Sequence, residues 1–144
     1  MKKNTVHDTD IALKELQKLF GDGAEMIFSR NTLVQNQCIL LLGAEIIAML
    51  DKNMSLILGT SGMLLVKLSA ASLLLSVLLF TFSSFNYYNF KMSILMFDAD
   101  TDADVDDLKK VLKLFGSLGK YGVSFWRIGI SAALISGTIF LFRV

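Results

Sequence analysis

The densest cluster of ionisable side chains in the sequence is DADTDADVDD, with Asp98, Asp100, Asp102, Asp104, Asp106 and Asp107 inside ten residues. Carboxylates at alternate positions suggest a divalent-cation loop, which needs oxygen ligands at its first, third and fifth positions. Asp98, Asp100 and Asp102 meet that spacing. An EF-hand loop also needs glycine at its sixth position and a bidentate glutamate at its twelfth. Those positions hold Ala103 and Lys109, so no metal site is expected, and a weak adventitious one at the three aspartates is the residual reading. A catalytic carboxylate pair would need neighbours that move one of the two off the ordinary range, and this stretch supplies only water and more aspartate. Aspartates ahead of LKKVLKLF instead match the start of a helix, where carboxylates bond free N–H groups and oppose the helix dipole.

The other chemistry-bearing residues are sparse. Cys38 is the single cysteine and His7 the single histidine, which excludes an internal disulfide, a cysteine zinc site and bis-histidine haem ligation. No nucleophile–base constellation is visible, so an enzyme is not expected, nor any cofactor. Fourteen basic residues against thirteen acidic ones leave no basic excess for nucleic acid.

Glu45 and Lys67 are different, because both stand inside apolar runs. The chain is 53% hydrophobic with a mean hydropathy of +0.57, more apolar surface than 144 residues can hide in their own core. Proline is absent and Leu, Met, Ala and Ser dominate, which favours helices over an alternating-strand barrel. Three stretches approach the roughly 20 residues that cross hydrocarbon: 33–50, the clearest one within 56–82, and 123–142. The expected fold is all-α, an integral membrane bundle of three transmembrane helices with two short cytosolic amphipathic helices, self-associating into an oligomer.

Four segments follow: a cytosolic amphipathic helix over 1–23, closed by the glycines of GDG; a transmembrane hairpin over 24–82, turning at DKN; a cytosolic loop and helix over 83–122; and a third span over 123–144. Lysine and arginine gather on the cytosolic side of membranes. Lys2, Lys3, Lys14, Lys18 and Arg30 precede the first span, and Lys91, Lys109, Lys110, Lys113, Lys120 and the edge residue Arg127 lie before the third. Only Lys52 and Arg143 fall on the other side. The N-terminus is therefore expected in the cytoplasm and the C-terminus outside, in a bacterial inner membrane. LKELQKLFG at 13–21 and LKKVLKLFG at 108–116 agree at six of nine positions. Such an echo fits a repeated unit of surface helix and span, and also chance likeness between two Lys/Leu helices.

Charged groups in hydrocarbon cost several kcal/mol and usually face protein or water. At 100° per residue Asn31, Gln35, Cys38, Leu42, Glu45 and Met49 share one face of the first span. That face lines a water path or bonds a neighbouring helix, and Glu45 near the span's end can also reach water. Asn31, Gln35, Glu45 and Lys67 are the candidate pore-lining or intramembrane polar residues. Small residues at fixed spacing let helices approach closely. Gly129, Ala133 and Gly137 form such a row in the third span, and Ser69 and Ser76 belong to a seven-residue serine row in the second. They are the candidates for helix packing and oligomerisation, with Lys109, Lys110 and Lys113 as a cytosolic trigger surface. The aromatic residues of FNYYNF suit the headgroup belt. Whether residues 90–97 continue the helix or extend stays open.

The layout resembles the membrane-spanning effectors of Pycsar-type, nucleotide-signalled antiphage systems. The similar parts are a polar-faced first span, RNTLVQNQCILLLGAEIIAML, a tight hairpin into a Leu/Ser-rich second span, a loop beginning KMSILMFDAD, and a final span after GKYGVSFWRIG. The resemblance implies membrane disruption by an oligomer after a cytosolic nucleotide cue, although no nucleotide-sensing segment is evident within these residues. The expected function is thus a small self-associating protein that forms or gates a pore, with the lipid bilayer, its own copies and a cytosolic regulatory protein or ligand as partners. The competing reading is an accessory or scaffold subunit of a larger membrane complex.

Overall fold

The computed structural model describes the backbone of residues 3–95 and 103–143, and the side chains of 23–92 and 110–143. It is all-helical. Helix α1 spans Lys3–Leu50, α2 spans Lys52–Leu95 and α3 spans Ala103–Leu141. Each contains a stretch long and apolar enough to cross a membrane: Gly23–Leu50, Lys52–Met92 and Lys110–Leu141. At 1.5 Å per residue α1 is about 72 Å long, more than twice the hydrocarbon thickness.

The two short amphipathic helices expected from sequence are not separate elements. The N-terminal segment and the first span form one helix that runs through Gly21 and Gly23. Two helix-interior glycines together cost about 2 kcal/mol, but nothing in this proline-free chain forces a break. Immediately beyond them Ala24, Tyr87 and Phe115 close a buried cluster with Ile27, Phe28 and Leu112. That anchor fixes α1 one residue past the glycines. Likewise the helix that follows the aspartates is the first part of α3. Residues 90–95 continue α2 as helix; residues 96 and 97, the aspartates at 98, 100 and 102, and the side chains of 1–22 lie outside the described set.

The pairs Asn31–Ser83, Cys38–Ser76 and Glu45–Ser69 centre the hairpin on Ile57, beside Gly59, and not on the DKN segment expected to turn it. Asp51 ends α1, its N–H bonded to the Ile47 carbonyl at 3.1 Å, and caps α2 by accepting the Asn53 N–H at 2.8 Å. Within α2, Gly59 adopts φ 64°, ψ −174°, and kinks the helix. The carbonyls of Ile57 and Leu58 at that kink accept from Arg143 Nη1 at 3.3 and 2.9 Å. The last described residue therefore ties the end of α3 to the hairpin. α2 is central: α1 and α3 both pack along it and touch each other little. α1 and α3 run parallel, both antiparallel to α2.

Apolar and polar residues are placed opposite to a water-soluble bundle. Leu40, Leu56, Leu64 and Leu141 are 69–81% exposed, whereas Asn31, Cys38, Ser69, Ser76 and Ser83 are at most 1% exposed. Lipid tails are as apolar as leucine, so burying leucine gains nothing there, and small residues with interhelical hydrogen bonds hold the helices instead.

Candidate functional site

The interior polar residues form three layers, each built from one residue of each helix. In the layer farthest from the hairpin, Ser83 donates to the Phe115 carbonyl at 3.1 Å and receives a long bond from Asn31 Nδ2 at 3.5 Å. In the middle layer, Ser76 donates to the Gly122 carbonyl at 2.8 Å and receives the Cys38 S–H at 3.4 Å. In the layer nearest the hairpin, Ser69 Oγ lies 2.9 Å from the Gly129 carbonyl and 2.9 Å from Glu45 Oε1. Successive layers are seven residues apart on every helix, so three rows of matching period meet along one seam.

Close approach of α2 and α3 brings the serine hydroxyls within 2.8–3.1 Å of the α3 carbonyls, and glycine permits the approach. A Cβ on Gly129 would sit 2.8 Å from Leu73 Cγ, one on Gly122 2.9 Å from the Phe80 ring, and one on Gly119 2.5 Å from Asn31 Nδ2. Leu73 and Phe80 themselves are fully buried beside Val34 and Cys38, flanked by Trp126. At the far end Phe28 stacks on Tyr87 with centroids 4.4 Å apart, and Tyr88 meets Phe28 edge-on. Of the aromatic residues expected in a headgroup belt, Tyr87 and Phe90 are buried and Phe85 and Tyr88 are exposed.

The residues singled out from sequence thus separate into two groups. Within one chain, Asn31 and Glu45 face α2 and α3, buried to 1% and 7% exposure. Gln35 is half-buried at the edge of that seam and donates to Thr81 Oγ1 at 2.9 Å. Ser69 and Ser76 pack inside the chain, as does Gly129. Ala133 is half-buried, and Gly137 is exposed with nothing within 4 Å of an added Cβ. Lys67 is exposed, as are Lys110 and Lys113, while the side chain of Lys109 lies outside the described set. Gly119, Gly122 and Phe80 are not among the sequence candidates. The signal for Gly122 is its place on a seven-residue row, Phe115, Gly122, Gly129 and Ser136, running antiparallel to the serine row.

The register also moves Arg127. Hydropathy sets it at the edge of the third span, yet Gly129, two residues on, is level with Glu45. Arg127 therefore lies about 15 Å along the bundle from the level of Leu33. Like Lys67 it is exposed, and among the described residues neither makes an ion pair. No group of three or more metal-ligating side chains occurs among the described residues. Compared with known protein families, curated proteins and solved structures, the chain matches none.

Proposed function

We propose that this chain is a non-enzymatic membrane protein that self-associates and forms or gates a permeation path. Lys67 and Arg127 carry that reading. They stand within about 6 Å of each other in depth, two residues either side of the Ser69–Gly129 level, and both are exposed. Each is offset about 200° around its helix from the residue that makes the interhelical contact, so both point away from the seam. A charge left in hydrocarbon costs several kcal/mol. Assembly of several copies around these faces gives both cations water, and a path lined by them favours anions. The lysine and arginine distribution supports a cytoplasmic N-terminus and 83–122 connection in an inner membrane, with Lys110 and Lys113 exposed to a cytosolic regulator. The likeness to antiphage effectors supports membrane disruption as the outcome.

Liposome reconstitution tests this. Ion or dye efflux is expected from the oligomeric fraction, with chloride preferred over sodium, and Lys67→Leu/Arg127→Leu is expected to lower the flux about tenfold or more through the lost field of two charges. Absence of leakage from every oligomeric state would defeat the proposal.

A second reading, a scaffold subunit of a larger complex, draws on Gly137. Its exposed, unobstructed backbone beside Leu134 and Leu141 offers close approach to a helix of another protein as readily as to a copy. Native mass spectrometry in detergent separates the two: a homo-oligomer supports the pore, and a monomer copurifying with a larger protein supports the scaffold.

A further inference from the structure

The layer at Glu45 is short of one hydrogen. A serine hydroxyl has a single proton to donate. Ser76 and Ser83 each give theirs to an α3 carbonyl and receive a hydrogen from α1. Ser69 has two acceptors at equal distance, the Gly129 carbonyl and Glu45 Oε1. The layer is complete when the Glu45 carboxyl brings its own hydrogen and donates to Ser69. An ionised carboxylate is acceptor-only and competes with Gly129 for the same proton. Among the described residues no other side chain bonds this carboxyl.

Beside it lies a hollow of about 210 Å³, open on one side and bounded by Glu45, Leu58, Val66, Ala133, Ser136 and Phe140 among others. Its polar side chains are both acceptors, because Ser136 already donates to the Ala133 carbonyl at 2.9 Å. The charged residues of the surrounding elements are directed elsewhere. Lys67 on α2 and Arg127 on α3 are exposed, Asp51 and Lys52 are exposed at the hairpin, and Arg143 is held by the Ile57 and Leu58 carbonyls. Among the described residues no cation of the chain lines the hollow. An enclosed apolar cavity of about 150 Å³ admits benzene, and this open hollow exceeds that volume, which leaves room for a benzyl-sized body with a charged donor on it.

We propose that the Glu45 cavity binds a compact organic ammonium in exchange for the carboxyl proton. The ligand enters as a cation, its N–H groups bond Glu45 and Ser136, its apolar body contacts Met54, Leu58, Val66 and Phe140, and one proton leaves to water. The site needs only one folded chain, so it stands or falls separately from the permeation path.

Benzylammonium titrated calorimetrically into the full chain in detergent, in two buffers of different ionisation enthalpy, tests the exchange. Saturable binding is expected with about one proton released per ligand, and the affinity weakens up to about tenfold for each pH unit lowered. Benzyl alcohol, with the same body and no charge, does not compete. Glu45→Gln abolishes binding while helicity and Trp126 emission persist. Ala133→Phe, which fills the cavity and leaves the carboxyl in place, also abolishes it, and decides the matter should Glu45→Gln not fold. Equal binding of the ammonium and the alcohol, binding without proton release, unaltered binding in Ala133→Phe, or no binding at all would overturn the proposal.

Discussion

Ser76 gives its hydroxyl proton to the Gly122 carbonyl at 2.8 Å, and the same serine-to-carbonyl relation recurs seven residues away in both directions, at Ser69 and Ser83. The repeat makes the seam between α2 and α3 a set of equivalent contacts. Ser76→Ala removes the donor and takes away the acceptor of the Cys38 S–H. Interhelical hydrogen bonds in lipid are worth about 0.6 kcal/mol on average and at most about 1.7. A loss in that range is expected in SDS-titration unfolding followed by circular dichroism. Ser76→Leu, which must also force the backbones apart, is expected to lose more, by about 1–3 kcal/mol of overpacking.

The glycines of α3 are expected to divide sharply. Gly129→Ala sets a methyl 2.8 Å from Leu73 Cγ, so the bundle must open. Gly137→Ala meets nothing within 4 Å and removes a helix-interior glycine. The first is expected to destabilise the isolated chain by about 1–3 kcal/mol, and the second to be neutral or stabilising by up to about 1 kcal/mol. Equal effects in the same unfolding assay would contradict the packing described.

Gly59 and Arg143 form a local lock at the hairpin. Alanine at φ 64°, ψ −174°, a region essentially confined to glycine, costs about 1–3 kcal/mol, and its Cβ would stand 2.9 Å from Arg143 Nη1. Gly59→Ala and Arg143→Ala are both expected to speed hydrogen exchange across residues 52–60. Exchange at Ser69, Ser76 and Ser83 should stay slow, because their seam lies elsewhere. Faster exchange along all of α2 would show that the lock holds the whole bundle.

Cys38 is a free thiol at 0% exposure, bonded to Ser76. Maleimide is expected to label it at least about tenfold faster after SDS unfolding than in the folded bundle, since thiol reactivity requires access. In a Cys38→Ala background, Lys67→Cys reports on the proposed path. A membrane-impermeant thiol reagent should reach it in liposomes holding the oligomer, and protection there would place Lys67 against protein or lipid.

Trp126 has a buried indole N–H with no bonded partner. Trp126→Phe therefore gives up packing against the Val34, Cys38 and Leu73 cluster but no hydrogen bond. A change under about 1.5 kcal/mol is expected, as for other near-conservative core swaps; a larger loss would point to a partner for that N–H.

The rows of the seam are legible in the order of residues alone: Asn31, Gln35, Cys38 and Glu45 share one helical face, and Ser69 and Ser76 repeat at seven. Their destination is not. A polar face on a membrane helix satisfies the same rule whether it meets water, another copy or its own chain, because periodicity describes one helix at a time. The end of the first helix escapes a local reading for a related reason. GDG is a stop signal worth about 2 kcal/mol, and the Ala24–Tyr87–Phe115 contact that accompanies the helix's continuation joins residues far apart in sequence.

Composition and hydropathy determined that the chain is helical and suited to lipid, since 53% apolar residues without proline cannot be covered by a body this small. Spacing determined which side chains share a face. The tertiary structure alone decided which faces meet, pairing Glu45 with Ser69 and Gly129 and leaving Lys67 and Arg127 outside. Pairing three helices requires a register and a rotation for each. Those are set by whether glycine carbonyls and serine hydroxyls come within bonding distance, which depends on the contacts of all three helices at once.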